Sequence, residues 1–401
     1  MVPRRELAIA AWGAGAFGAV LASYGAFRPV RDALILDGNP DQIPWLFTAT
    51  FVGVAAASPA WSAALARTDS RKLVPRVFHA FAACELAFFL LVRADVAPVW
   101  IGRAFYVWSA VFSLFVVSVL WSLFADVLGP RAATTLYGPI TAGGTVGAIV
   151  GPALTKLLVG TLGVAGILAL SACLLEVAVV CAWRVVAMAG PPDEPRARRD
   201  RGGAWTGIRH VVRSPYLVAI VGYVLCTACA ATFLYLDQVR ITHDALADRT
   251  ARTAFLSTVD LWTNSCVLVV QLALAAPLLR RFGPGVVLCV LPLVQLAGLG
   301  WLALAPSLTA FAIAAVVART ATHGLTRPAR ELLFTVIARD DKYRAKNVID
   351  TTVYRLGDFG ASWMLLAGAG STMWIAATVP LVAIWLALAV ALGFKFRKEM
   401  T

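Results

Sequence analysis

The chain is a succession of apolar segments, each about as long as a lipid bilayer is thick. A helix rises about 1.5 Å per residue, so about 20 apolar residues cross the hydrocarbon core. Composition agrees, because 60% of the residues are hydrophobic and 14% are charged, whereas soluble domains carry about 25% charged residues. The sequence predicts an all-α membrane protein with twelve transmembrane helices. We call them spans 1 to 12: 7–27, 43–66, 73–93, 98–125, 133–159, 164–188, 215–236, 252–278, 284–304, 308–337, 347–369 and 372–394.

Positive charges alternate along the connections between the spans. One set of connections, together with both termini, is rich in Arg and Lys, and the opposite set is poor in them. By the positive-inside rule the basic set faces the cytoplasm. The net charge of +13 then needs no nucleic-acid partner. We expect a monomeric, multi-pass protein of the cytoplasmic (inner) membrane, surrounded by lipid, with both termini cytoplasmic.

A polar linker at 189–213 divides the chain into two halves of similar length. Its segment PPDEPRARRDRGG is rich in Pro, Gly and Arg, a composition that cannot form a membrane helix and is typical of a cytoplasmic linker. The predicted domains are an N-terminal six-helix half at 1–188 and a C-terminal six-helix half at 214–401.

The two halves resemble each other at three places. FRPVR at 27–31 matches LDQVR at 236–240, TTLY at 134–137 matches TTVY at 351–354, and Arg103 corresponds to Arg319. The offsets between these pairs are similar, which favours a duplication over chance. A six-plus-six duplication with a basic linker resembles the plan of the major facilitator superfamily, in which the substrate site lies near the bilayer midplane.

Two further motifs resemble that superfamily. The loop LARTDSRK at 65–72 and its counterpart RRFG at 280–283 are similar to the superfamily's basic loop, although both have Arg where it has Asp. Span 5 carries spaced small residues that resemble the antiporter motif and would favour exchange. Glycines on one face let helices approach closely and a proline permits a bend, although generic helix packing explains them equally. The residues are Gly138, Gly147, Gly151 and Pro152, with Thr155 where a last glycine is expected.

Charges also cluster where span 1 ends, in FRPVRDALIL. Arg28, Arg31 and Asp32 lie near the outer interface, where they could gate the protein, attract an anion or anchor the helix. Asp237 and Arg240 are the expected partners from the other half. Two single acids stand in apolar helices and are candidates for a proton relay or an ion pair. For Asp260 we favour function, and for Glu85 a protonated or packed acid away from the transport path.

Seven of the charges between Arg319 and Asp358 fall within spans 10 and 11 themselves. A charge near the bilayer centre costs about 2.5–3.5 kcal/mol, so these charges need mutual pairs or a polar cavity. Such a set can pair internally when empty and pair with an anionic solute when loaded, although a purely structural network of salt bridges is the alternative. The cations are Arg319, Arg327, Arg330 and Arg355, and the anions are Glu331, Asp350 and Asp358.

The same stretch is similar to the ATP:ADP antiporter family of bacterial and plastid nucleotide transporters. That family typically has Lys-Glu, then Lys before Ile-Asp, then Arg-Leu-Gly-Lys in this region, and Lys-Asp in helix 1. Asp358 stands where the family has its last lysine, which reverses the charge at a position expected to meet phosphates. The matching residues are Arg330-Glu331, Lys346, Ile349-Asp350, Arg355-Leu356-Gly357 and Arg31-Asp32.

We therefore predict a secondary transporter that works by alternating access, carries an anionic solute and resembles nucleotide exchangers. The alternative is a proton-coupled transporter of a non-nucleotide organic anion, drug or lipid-like substrate. GxxxxGK[ST], HExxH and GxSxG are absent from the sequence, and its four histidines have no ligand spacing, so we expect neither an enzyme nor a metal or cofactor. The expected solute-binding residues are Arg31, Arg319, Arg327, Arg330 and Arg355; the charge-pairing or proton-carrying residues are Asp32, Asp260, Glu331, Asp350 and Asp358; the gate residues are Arg28, Asp237 and Arg240.

Overall fold

The computed structural model describes residues 4–128, 130–189, 211–337, 345–346, 349–366 and 371–400. Within these ranges the chain is helical almost throughout and has no strand. Nine segments of this described part are long and apolar enough to cross a membrane. Two of them, Thr135–Ala189 and Arg249–Leu304, have 55 and 56 residues, which is enough for two spans each. The predicted all-α membrane fold is confirmed.

The described helices follow the predicted spans, and the helices of spans 1 and 7 extend beyond the predicted ends to Leu34 and Ala245. Span 10 is interrupted by a π-helical turn, a second π turn follows the first part of span 8, and a third opens span 11. The helices are Arg4–Leu34, Ile43–Arg67, Ser70–Arg93, Pro98–Val127, Pro130–Ala189, Pro215–Ala245, Arg249–Val270, Ala276–Leu304, Leu308–Thr320, Arg327–Leu333, Tyr354–Leu366 and Ser371–Met400, and the π turns are Gln271–Ala275, Ala321–Thr326 and Ile349–Val353.

Local sequence explains where several of these helices begin. The Asp69 carboxylate accepts a hydrogen bond from the Arg71 backbone N–H at 3.0 Å, just before span 3. The Ser307 hydroxyl accepts from the Ala310 N–H at 3.1 Å before span 10. Such side chains satisfy backbone donors that the first helical turn leaves without a partner. Pro98 opens span 4, a position where its missing N–H costs nothing.

Single glycines make the turns between spans 5 and 6 and between spans 8 and 9. Gly163 has φ 69° and ψ 171°, and Gly283 has φ 75° and ψ 169°. This backbone conformation is essentially restricted to glycine. Each turn falls in a connection that the sequence predicted, and each explains why one long helical segment contains two spans.

The described chain forms two compact units. Unit 1 contains residues 1–39, 52–198 and 246–261, and unit 2 contains residues 40–51, 199–245 and 262–401. Most of each unit lies on one side of the linker. The start of span 2 belongs to unit 2 and the start of span 8 belongs to unit 1, so each half of the sequence contributes one segment to the other unit.

Small residues bring spans 1 and 5 together in unit 1. A Cβ atom added to Gly147 would collide with the backbone of Gly18, and one added to Gly143 or Gly151 would also meet backbone atoms of span 1. A Cβ on Gly138 would meet nothing within 4 Å. The close seam therefore consists of glycines four residues apart, and it includes Gly143, which the sequence analysis left out.

Two side chains extend this seam toward the C-terminal end of span 5. The Thr155 hydroxyl donates to the Ala26 carbonyl at 2.8 Å. Pro152 is buried and lies where a Cβ on Gly25 would reach it at 2.8 Å. The hydroxyl thus takes the place where a last glycine was expected, and it adds a hydrogen bond between the two helices.

Hydrogen bonds from two tyrosines, one buried and one partly buried, and another close helix contact hold unit 2 together. The Tyr223 hydroxyl donates to the Leu288 carbonyl at 2.8 Å, and the Tyr216 hydroxyl donates to the Leu333 carbonyl at 2.9 Å. Gly285 of span 9 faces Gly393 of span 12. These contacts fix spans 9, 10 and 12 around span 7, which carries part of the candidate site.

Candidate substrate-binding residues

In unit 2, Arg319 of span 10 is held by a neutral side chain of span 7. Its Nη2 atom donates to the Gln238 side-chain oxygen at 2.6 Å. Gln238 is 3% exposed, and a hydrogen bond from a charged group at this distance is strong. Because an amide carries no charge, this contact orients the guanidinium without neutralising it.

A π turn, Ala321–Thr326, follows Arg319 directly and separates it from Arg327. A turn of this kind leaves an intrahelical carbonyl without its usual donor, and π turns occur frequently at functional sites. Here the Gln271 side chain donates to the His323 carbonyl at 3.0 Å. Gln271 itself opens the π turn of span 8, so the two irregular turns support each other.

Glu331 pairs with Lys346 across the connection between spans 10 and 11. The Lys346 Nζ lies 2.7 Å from the Glu331 carboxylate. Lys346 matches the antiporter-family pattern but was not among the predicted binding residues. Both side chains are about one-third to one-half exposed, at 34% and 45%, so this pair is worth little to stability in water. It determines which cation Glu331 faces.

Arg355 and Asp358 pair along span 11, with Nη1 and Oδ2 3.7 Å apart. The Thr232 hydroxyl of span 7 donates to the other carboxylate oxygen at 3.1 Å. Asp358 is 8% exposed. The sequence analysis expected internal pairs within this set, and this pair lies on one helix, three residues apart. Its 3.7 Å separation exceeds a hydrogen bond, so an incoming anion could replace Asp358 beside Arg355.

The charges of spans 10 and 11 converge on Tyr354. Arg327, Arg330, Arg355 and Asp358 all lie close enough to its hydroxyl to act on it electrostatically. Arg330 also acts on Tyr223. The side chain of the predicted residue Asp350 lies outside the described residues. Unit 2 thus gathers three of the four arginines of this stretch at one place. The fourth, Arg319, precedes them in the chain by one π turn.

In unit 1, Arg28 faces Asp260 of span 8 at 3.7 Å. Arg31 binds the neighbouring Asp32 through Nε and Nη2, at 2.8 and 2.6 Å from one carboxylate oxygen. The Arg31 guanidinium also lies 5.0 Å above the ring of Tyr106, a favourable cation–π arrangement. The charges at the end of span 1 therefore have acidic partners within unit 1.

A second group of ion pairs joins the start of span 8 to Asp37, just after span 1, and to Asp95, just after span 3. Arg249 contacts Asp37 at 2.7 Å and Asp95 at 2.9 Å, and Arg252 contacts Asp37 at 3.3 Å. Arg252 is 6% exposed. Together with the Arg28–Asp260 contact, these pairs connect residues 246–261 to the rest of unit 1.

The expected partners of the span 1 charges, Asp237 and Arg240, belong to unit 2. Arg240 lies close enough to Asp237 to act on it electrostatically. Asp237 is partly buried and Arg240 is exposed. Within unit 1 the acid that faces Arg28 is Asp260, so the structure gives Arg28 a partner other than the ones that the sequence analysis named.

Several residues at these sites were not predicted. Gln238, Thr232 and Tyr354 are uncharged, and nothing in an apolar helix marks them as different from packing residues. Asp37 and Arg249 carry charge, but they stand in connections that were interpreted only through the positive-inside rule. A polar residue adjacent to a predicted charge, such as Gln238 beside Asp237, was the one usable signal.

A bundle of membrane spans with paired charges inside it is the architecture of a transporter rather than of an enzyme. The sequence model of the Major Facilitator Superfamily matches residues 7–357 of this chain. The chain belongs to this superfamily, and it is a multi-pass integral membrane protein. No curated protein matches the chain.

Solved transporters have a similar fold over their whole length. A mutant of the nucleoside transporter NupG has a TM-score of 0.66 at 12% identity, covering 98% of this chain and 100% of that one. A bacterial homologue of the iron transporter ferroportin in an inward-facing state has a TM-score of 0.64 at 13% identity and full coverage of both chains. A bacterial homolog of the human lysosomal transporter Spinster has 0.59 at 13%, covering 100% of this chain and 98% of that one. At these identities the likeness concerns the fold.

Proposed function

We propose that this chain is a secondary transporter that works by alternating access and carries an anionic solute. The observation that carries the proposal is the arginine cluster of spans 10 and 11. Three guanidinium groups act on the same tyrosine hydroxyl, and a neutral amide orients Arg319. Cations at membrane depth are costly, and they mark a solute pathway when they persist.

The bound solute would exchange partners with the acids of the protein. Arg355 faces Asp358 at a distance longer than a hydrogen bond, so an anion could approach the guanidinium while Thr232 still holds Asp358. Arg327 and Arg330 of unit 2 would attract and hold this solute, and Arg31 of unit 1 would also attract an anion. When no solute is bound, Glu331 and Asp350 would balance the cations of unit 2, and Asp32 and Asp260 those of unit 1. Reversible binding needs partners of this kind, because a cation without any counter-charge would hold an anion too tightly to release it.

The resemblance of spans 10 and 11 to the ATP:ADP antiporter family makes nucleotide exchange the first specific candidate. The test uses proteoliposomes that contain ADP, with labelled ATP added to the external solution. Entry of label that requires internal ADP supports exchange. A current driven by a pH gradient without nucleotide supports the alternative, proton-coupled transport of a non-nucleotide organic anion, drug or lipid-like substrate. Asp358, where the nucleotide family has a lysine, is the observation that favours this alternative.

The anion site is tested by Arg355→Ala in proteoliposomes, with Arg213→Ala as the control. Arg213 is exposed at the start of span 7 and lies away from the cluster in sequence. Losing a charge-assisted hydrogen bond costs about 1.5–3 kcal/mol, so we expect uptake to fall at least about tenfold while folded protein is retained. Unchanged uptake in Arg355→Ala would remove the central claim.

We further propose that the protein is a monomer of the cytoplasmic membrane with both termini inside. The argument is the distribution of Arg and Lys among the connections. A cysteine introduced after Lys398 should react with a membrane-impermeant reagent only after inverted vesicles expose the cytoplasmic face. Labelling of intact cells would contradict this orientation.

A further inference from the structure

Span 3 carries a carboxyl group that the anion site does not use. Glu85 is 0% exposed, and neither of its carboxyl oxygens makes a hydrogen bond within the described residues. An isolated carboxylate in an apolar interior is so unfavourable that the group takes up a proton instead. Burial without a partner therefore favours the neutral acid form of Glu85.

Several charged groups on and around span 3 have partners other than Glu85. No charged group among the described residues lies close enough to Glu85 to act on it electrostatically. The acids Asp32, Asp260 and Asp358 differ, because each has an arginine within 4 Å. On span 3 itself and on the neighbouring spans 1, 4 and 6 the contacts are His79 with Glu176, Arg31 with Asp32 and Tyr106, Arg103 with Trp100, and Arg184 with Trp12.

A pair of buried hydroxyls lies beside Glu85. Ser171 of span 6 lies near the Glu85 carboxyl group, although the two side chains do not form a hydrogen bond in this arrangement. The Ser171 and Ser23 hydroxyl oxygens are 2.9 Å apart, and the Ser171 hydroxyl also donates to the Ser23 carbonyl at 3.1 Å. Both serines are 0% exposed. The path from Glu85 to Ser23 thus crosses spans 3, 6 and 1 through polar atoms inside an apolar core.

This hydroxyl pair can serve both charge states of the acid. While Ser171 donates to the Ser23 carbonyl, its oxygen can accept from protonated Glu85. When Glu85 loses its proton, the Ser171 hydroxyl can turn and donate to the carboxylate. In both arrangements the Ser23 hydroxyl donates to Ser171 across the 2.9 Å contact, because the single hydroxyl hydrogen of Ser171 is used elsewhere. A donor to the ionised form makes ionisation accessible, which pure hydrocarbon surroundings would not.

We propose that Glu85 is a proton-binding site of this transporter, with Ser171 and Ser23 as the hydroxyl groups that stabilise its ionised form. The carboxylate takes a proton from hydronium and releases water, and the O–H bond breaks in the reverse step. The sequence favoured Asp260 for such a role, but Arg28 already balances the charge of Asp260. The inference goes beyond the anion site and does not depend on which solute is carried.

Infrared spectroscopy of the protein reconstituted in lipid tests this directly. A protonated carboxylic acid has a C=O stretching band above the amide I band, and a carboxylate lacks it. We expect a band that grows as the pH is lowered and that disappears in Glu85→Gln. The matched control is Glu176→Gln, on span 6 beside the same helix, because Glu176 contacts His79 at 2.8 Å and is about half exposed. The band should persist in this control.

A second variant keeps the test decisive if Glu85→Gln folds poorly. Ser171→Ala removes the donor to the ionised form, so the midpoint of the band's titration should move to higher pH by about one unit. A band that is absent, that survives Glu85→Gln, or that does not titrate at any accessible pH would overturn the proposal. The Arg355→Ala variant should lose anion uptake and keep the band. Failure of the proton site and failure of the anion site are therefore distinguishable.

Discussion

The guanidinium of Arg28 lies 3.7 Å from the carboxylate of Asp260, so that an ion pair joins the first span to the eighth. These residues are separated by most of the N-terminal half and the linker. The Asp260 side chain is 6% exposed and the Arg28 side chain 29%. The Arg28–Asp260 pair and the pairs that Arg249 and Arg252 form with Asp37 thus all connect residues 246–261 to unit 1.

Removing one member of this pair should loosen the start of span 8. In Asp260→Asn the Arg28 charge loses the carboxylate that it faces. We expect the free energy of unfolding to fall by about 1–3 kcal/mol. This is less than the full value for a buried pair, because Arg28 is partly exposed. Hydrogen–deuterium exchange should rise in 246–261. The control is Asp244→Asn, since Asp244 is exposed and contacts its neighbour His243. Equal exchange in both variants would show that the pair does not hold this segment.

Gly147 should tolerate no side chain, whereas Gly138 should. A Cβ on Gly147 would collide with the backbone of Gly18, and one on Gly138 would meet nothing within 4 Å. Forcing the helices apart costs about 1–3 kcal/mol, so Gly147→Ala should lower the thermal unfolding temperature of the purified protein. Gly138→Ala should leave it unchanged or raise it, because alanine favours helix more than glycine by about 1 kcal/mol. Similar shifts in both variants would exclude the proposed seam.

Gln238 should act as the positioning residue for Arg319. In Gln238→Leu the 2.6 Å hydrogen bond is lost, so we expect anion uptake to fall about tenfold or more, mainly through a higher KM. In Gln238→Glu the carboxylate neutralises Arg319, and uptake should be lost with the protein still folded. Gln295→Leu is the matched control, because Gln295 is a glutamine of span 9 with similar burial, 4%. Equal uptake by Gln238→Leu and the wild type would contradict this role.

The turn at Gly283 should be intolerant of alanine for a backbone reason. At φ 75° and ψ 169° any side chain is strained, at a cost of about 1–3 kcal/mol, although no atom lies within 4 Å of the added Cβ. Gly300→Ala is the comparison, since Gly300 is helical in span 9 and equally open. We expect the unfolding temperature to fall in Gly283→Ala and to stay unchanged in Gly300→Ala. An unchanged unfolding temperature in Gly283→Ala would show that the turn can form without a glycine at this position.

The sequence determined the membrane fold of this protein and the places where its spans begin and end. Length and apolarity of a segment are local properties, and so are the glycine at a turn and the basic residues of a connection. These were enough to predict twelve spans and the charged stretch from Arg319 to Asp358, and the resemblance carried by the two similar halves indicated the superfamily. Gly163 and Gly283 fall in predicted connections for the same reason.

The tertiary structure decided which side chain meets which. Whether Arg28 faces Asp260, whether Gln238 holds Arg319 and whether Gly143 or Gly138 lies in the seam all depend on how each helix is rotated and which helix lies beside it. Helix rotation follows from the packing of many side chains from distant parts of the chain, and no local pattern encodes it. Glu85 shows the same division, since the sequence placed an acid in span 3 and only the structure placed Ser171 and Ser23 beside it.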